Sequence, residues 1–129
     1  MKEHLNWIKR MLGADGPGSP EEENAEVLRR MAADGDSLIN KRDVEFNHLF
    51  TREDSAVDFI TAARAQGYQR CEHEYWNEQV AWLTSIRIRM VPTLEEITEI
   101  ELNLAELASP FDGRPDGWGC MEVIKSQSA

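Results

Sequence analysis

Cys71 and His73 stand two residues apart in an alternating stretch, so an extended chain sets both on one face, where a thiol and an imidazole can act as nucleophile and base. No cysteine-nucleophile signature surrounds them, which leaves a catalytic centre here as an alternative only. Adding His48 and Cys120 would give four nitrogen and sulfur donors for a metal ion, but their spacing follows no zinc pattern and they fall on different elements. The simpler account is that Cys71 and Cys120 fill core or edge positions as reduced thiols, while His48 packs beside Phe46 and Phe50. The expectation is therefore no catalytic residue, no metal and no cofactor.

Carboxylates are the next group able to do chemistry. Glu95, Glu96, Glu99, Glu101 and Glu106 crowd one segment, and paired carboxylates can serve as general acid and base. Here they take the polar side of an amphipathic helix, which makes them a solvated face and a candidate docking surface for a basic partner segment. Gly13, Gly16 and Gly18 follow no strand and lack the Lys-Ser/Thr ending of a phosphate-binding loop, so they are connecting glycines. Phe46, Phe50 and Trp82 could stack on unpaired bases, yet they alternate as core residues do and face no broad basic field, so direct nucleic-acid binding is not expected.

The run from Phe111 to Gly119, FDGRPDGWG, is the most distinctive in the chain. In Asp116-Gly117-Trp118-Gly119 the two glycines open the backbone on one strand face, while Trp118 projects from the other. Asp116-Gly117 reads as a turn, and Trp118 as a core anchor or a partner contact, because tryptophan is enriched at interface hot spots. The residues expected to contact a partner are Glu95, Glu96, Glu99, Asp116 and Trp118.

The elements that must position these side chains follow from periodicity. Leu5, Ile8 and Leu12 lie at helical spacing among Lys2, Lys9 and Arg10, and the Gly/Pro-rich residues 13–19 make a linker. Ser19-Pro20-Glu21-Glu22 is a capping box opening a helix with Ala25, Val27, Leu28, Met31 and Ala32 inward, closed by Asp34-Gly35-Asp36. Val44, Phe46, His48 and Phe50 alternate with Glu45, Asn47 and Leu49 as a half-buried strand. Thr51 to Asp54 can cap a helix with Val57, Ile60 and Ala63 inward, ended by Gly67. Tyr68 to Tyr75 is a weaker, edge-like strand, and after a turn at Asn77-Glu78 the next strand turns Val80, Trp82, Ile86, Ile88 and Met90 one way. Thr93-Leu94-Glu95-Glu96 caps a helix with Ile97, Ile100, Leu104 and Leu107 inward, and Trp118 to Ile124 supplies a final strand. The order from Val44 predicts a ferredoxin-like α+β domain: a four-stranded antiparallel sheet in the order 4-1-3-2, with two helices on one face and N-terminal helices added.

Composition fits one such domain. The chain has 129 residues, 41% hydrophobic, with 24 acidic against 14 basic side chains and a formal charge of -10. That suffices for a single core, and the acidity repels phosphate backbones and favours cationic partners. The expected division is an N-terminal helix and linker over 1–19, one domain over 20–125 and a polar tail over 126–129. Residues 1–12 mix charge with apolar side chains and resemble neither a signal peptide nor a membrane span, so a cytoplasmic location is expected.

Met31-Ala32-Ala33-Asp34-Gly35-Asp36, Val44-Glu45-Phe46-Asn47-His48-Leu49-Phe50, Ala62 to Tyr68 and above all Asp116-Gly117-Trp118-Gly119 resemble the ribonuclease E inhibitor family, also called regulator of ribonuclease E activity B. The resemblance covers about residues 22–124 and implies the same ferredoxin-like α+β fold. It also implies a non-enzymatic protein that binds the C-terminal, non-catalytic region of ribonuclease E, alters degradosome composition and reduces RNA cleavage. No catalytic residues transfer with it. The chain departs from the family pattern at Met1 to Ser19, which are additional, and at Arg114-Pro115, where an aromatic is common. The alternatives are an immunity-type or other binding protein that occludes a different partner, and an enzyme centred on Cys71 and His73.

Overall fold

The computed structural model describes residues 19–124. The expected helix over 1–12, most of the linker and the polar tail lie outside the described residues. Within them the order is α1 (Pro20–Ala33), β1 (Arg42–Phe50), α2 (Glu53–Ala65), β2 (Arg70–Trp76), β3 (Ala81–Met90), α3 (Leu94–Ala108), a 3-10 turn (Ser109–Phe111) and β4 (Arg114–Gly119).

The helix starts follow from local hydrogen-bond chemistry. Ser19 Oγ accepts from the Glu22 amide at 3.2 Å and Glu22 Oε1 accepts from the Ser19 amide at 3.3 Å, which satisfies two otherwise orphaned donors at the head of α1. Thr93 Oγ1 accepts from the Glu96 amide at 3.2 Å and does the same for α3. At α2 the expected cap is replaced: Arg52 holds the N-cap position without a side-chain cap bond, and its guanidinium bonds Asp54 instead. The buried face of α2 is Ala56, Phe59, Ile60 and Ala63, and Val57 lies outside it, exposed.

The four strands form one antiparallel sheet ordered β2-β3-β1-β4, the expected 4-1-3-2 order read from the other edge. Phe46 on β1 lies opposite Ile86 on β3 and Trp118 on β4, and this row anchors the main core beneath the helices. Val27, Leu28 and Met31 of α1, Phe59 and Ile60 of α2, and Ile97 and Leu104 of α3 pack into the same cluster.

Three expectations about the sheet change. The last strand is Arg114–Gly119 rather than Trp118 to Ile124, and Ile124 makes only an isolated bridge to Asp36. Pro115, expected in the loop before the last strand, lies within β4, an edge strand, where a residue without an amide is tolerated on the outward side. Val80 does not begin β3: it is 71% exposed with φ +51° in the turn that joins β2 to β3. Finally, β1 is buried on both faces, since Asn47 and Leu49 are as inaccessible as Phe46 and Phe50.

Two glycines of the FDGRPDGWG run have structural reasons. A Cβ on Gly113 would meet the Phe50 ring at 2.5 Å and Ala108 at 2.9 Å, so only glycine lets the chain pass between them. Gly117 has φ +93° at the irregularity where β4 shifts register against Phe46 and His48.

The Asp34-Gly35-Asp36 helix ending conceals a buried ion pair. Arg42 Nη1 donates to Asp36 Oδ2 at 2.6 Å and Nη2 to Oδ1 at 3.1 Å, while the Leu38 and Val123 amides donate to the same carboxylate at 2.8 and 2.9 Å. Arg42 also donates to the Met121 carbonyl at 3.1 Å. Four hydrogen bonds from three residues thus tie the end of α1, the start of β1 and the segment after β4 to a single carboxylate.

Candidate docking surface

On α3, Glu95, Glu99, Leu102 and Glu106 fall at intervals of four, three and four residues, which stacks them along one helix face. All four are exposed, and Leu102, at 54%, is a large apolar side chain left in water between three carboxylates. Such a stripe offers a basic amphipathic partner both charge and an apolar foothold. Glu96 is exposed one residue away, with its amide held by Thr93.

Beside this stripe, α1, α3 and the β1–β4 pair enclose a groove of about 410 Å³ whose walls include Asn24, His48, Glu101, Leu102, Pro115 and Asp116. Asn24 organises it. Its Nδ2 donates to Thr98 Oγ1 at 3.0 Å and Glu101 Oε1 at 2.9 Å, and its Oδ1 accepts from Trp118 Nε1 at 2.8 Å. One buried amide therefore joins α1, α3 and β4, a role no local pattern around Asn24 announces. Burial pushes the Glu101 carboxyl above its ordinary value; the Asn24 bond opposes that rise and the nearby charge of Glu23 reinforces it.

The structure separates the five expected contact residues. Glu95, Glu96 and Glu99 share the first turns of α3 in water, and Asp116 is half-buried in the groove wall. Trp118 is 2% exposed, so of its two readings it takes the core one.

The alternative chemistry is not assembled. Cys71 Sγ donates to the Tyr68 carbonyl, and burial pushes this thiol upward, away from the reactive thiolate. His73 Nε2 faces Glu53 Oε2 at 3.2 Å and its ring leans on Trp82. Cys120 is buried and pushed up to about 11 by desolvation. It follows β4 at one sheet edge while Cys71 lies on β2 at the other, about three strand spacings of ~4.8 Å apart and beyond disulfide reach. Among the described residues no three His, Cys, Asp or Glu side chains converge as metal ligands. Phe46 and Phe50 are enclosed in the core and Trp82 packs against it, so none is a free stacking platform.

His48 packs its ring against Phe59 at 5.2 Å, and burial pushes its pKa down to about 4. Because the unfolded value is near 6.5, the group favours the fold fully above about pH 6.5, where it is neutral in both states. Below that only the unfolded chain takes up the proton, so this contribution declines and is lost as pH falls through about 4. Urea unfolding between pH 7 and 4 should show this decline, and His48→Leu should flatten it.

What fold and site define together is a small α+β protein with an exposed acidic helix face beside a polar groove. The chain belongs to the family of regulator of ribonuclease activity B, whose family model matches residues 21–120. That span runs from the first turn of α1 to the residue after β4, and includes Asn24, the α3 stripe and Trp118. Its members are regulators of ribonuclease activity. No curated protein matches the chain at the level of an individual relative. Among the described residues no helix is long and apolar enough to cross a membrane.

Proposed function

We propose that this chain is a non-enzymatic, cytoplasmic regulator of ferredoxin-like fold that binds the C-terminal, non-catalytic region of ribonuclease E and thereby lowers RNA cleavage. The observation that carries the reading is the stripe Glu95, Glu99, Leu102 and Glu106, an exposed acidic and apolar face on a chain whose family regulates a ribonuclease. Asp116 in the neighbouring groove wall extends the surface toward the β4 edge. Complementary charge speeds and orients the encounter, and burial of Leu102 supplies affinity.

The test is titration of the purified non-catalytic region of ribonuclease E against the chain and against Glu95→Lys/Glu99→Lys. The charge-reversed protein should bind at least about tenfold more weakly with an unchanged melting curve, and parental binding should weaken with salt. Equal binding by both proteins would remove α3 as the docking face. No binding by either would remove ribonuclease E as the partner.

A further inference from the structure

The groove beside the α3 stripe is lined by carboxylates from three elements. Glu23 comes from α1, Glu101 from α3 and Asp116 from β4, and no lysine or arginine stands among its described lining residues. All three acids are half-buried, so water and salt screen them less than the open carboxylates of the stripe. The cost is visible at Glu101, whose carboxyl is pushed up by burial and further by the charge of Glu23. A cation seated between these groups offsets both causes.

A buried polar atom in the same groove lacks a partner. His48 is 3% exposed and lines the groove, and its Nδ1 has no hydrogen-bond partner among the described residues. Protein interiors rarely leave such an atom unmatched, so the groove holds polar capacity that the fold itself does not use. With its pKa pushed down to about 4, the ring is neutral near pH 7 and sets no positive charge against a bound cation. Asn24 bonds both Glu101 and Trp118, which holds this wall in place before any ligand arrives.

We infer that this groove receives one arginine side chain of a protein partner, its guanidinium seated among Glu23, Glu101 and Asp116. This seat rests on the docking proposed above, since Leu102 belongs both to the α3 stripe and to the groove lining, and a basic segment laid along the stripe passes the groove. The groove volume of about 410 Å³ lies within the range of ~300–1,000 Å³ usual for ligand pockets. Arginine suits the groove better than lysine for two reasons. Its five N–H donors spread in one plane and can meet acceptors arriving from three elements, whereas an ammonium is a compact point charge. Its guanidinium is also the more weakly hydrated, and its stem packs along apolar surface of the kind that Leu102, Ala105 and Pro115 supply.

The experiment titrates the isotope-labelled full chain with N-acetylarginine methylamide and follows the indole N–H signal of Trp118, which donates to Asn24 in the groove wall. Loss of that signal in Trp118→Phe assigns it. The arginine probe should shift it saturably with a dissociation constant in the millimolar range, and the uncharged citrulline counterpart should leave it in place. The lysine counterpart should bind at least about threefold more weakly. Glu101→Gln/Asp116→Asn keeps the shapes and removes two charges, and should weaken arginine binding at least about tenfold. Should that variant fold poorly, Glu23→Gln, at a half-buried position on α1, should weaken it at least about threefold. No shift with arginine, equal binding of citrulline or lysine, or unchanged affinity in the neutralised chain overturns the seat. The probe is a single residue, so its result is separable from that of ribonuclease E. Arginine binding by a chain that ignores ribonuclease E supports the seat and removes that partner, whereas ribonuclease E binding without an arginine response overturns the seat and leaves the α3 face.

Discussion

Asp36→Ala should lower the stability of this protein by about 3–5 kcal/mol, the largest effect expected of any single charged residue in it. The carboxylate has no exposed side-chain surface and accepts from Arg42 twice and from two backbone amides. Removing it leaves the Arg42 guanidinium, 6% exposed, charged and without its counter-ion, and frees the amides of Leu38 and Val123. Double replacement separates the cost of an abandoned charge from the worth of the pair. Asp36→Leu with Arg42→Leu should recover much of the loss, because two apolar side chains leave no buried charge behind. Urea denaturation of the parent and the variants measures both numbers. A loss under about 1 kcal/mol for Asp36→Ala would show that the pair is solvated in practice. Burial alone would raise the Asp36 carboxyl, yet the bonds from Arg42, Val123 and Leu38 hold it below its ordinary 3.8. A carboxylate depressed in this way stabilises the fold above its unfolded value and loses that contribution as pH falls through its folded one, so acid unfolding should steepen below about pH 4 in the parent and not in the doubly apolar chain.

Trp118→Ala should cost about 3–5 kcal/mol as well, through a different mechanism. The ring is fully enclosed opposite Phe46, and its Nε1 donates to Asn24 at 2.8 Å. Alanine leaves a cavity in the main core and strands the Asn24 carbonyl. Trp118→Phe keeps most of the apolar contact and loses the hydrogen bond, so it should cost about 1–3 kcal/mol. The comparison also settles what the Asp116 to Gly119 motif does. If Trp118 acts only through the core, Trp118→Phe should bind ribonuclease E fragments as the parent does once the folded fraction is matched. Lost binding at equal folded fraction would make the ring a contact after all.

Local chemistry carried much of the architecture into the sequence. Ser19 and Thr93 announce helix starts because a capping hydroxyl acts within three residues, and Pro20 fits the first turn for the same local reason. The alternation of Val44, Phe46, His48 and Phe50 fixes which side of β1 meets the helices, and the order of elements leaves few sheet topologies once crossovers must be right-handed. The acidic α3 face is legible for Glu95, Glu96, Glu99 and Glu106, since 3.6-residue periodicity decides which carboxylates share a side, but Glu101, expected on that solvated face, turns into the groove and accepts from Asn24.

What stayed hidden depends on partners distant in the chain. Asn24 meets Trp118 across 94 positions and Asp36 meets Val123 across 87, so no window around either residue shows what it holds. Arg114-Pro115 reads as loop in sequence and forms strand in the fold, because only the sheet order makes β4 an edge that admits a proline. Leu49 reads as the outward member of a half-buried strand, and only its packing with Trp76, Ala81 and Leu83 reveals a second buried face. The sequence by itself determined the three described helices, the first three strands and most of the helix-side core, though not the last strand or the outward Ala32 and Val57, because periodicity and capping are short-range. Tertiary structure alone decided which polar groups are buried and where Trp118 points, because burial is fixed by what the rest of the chain lays over a residue.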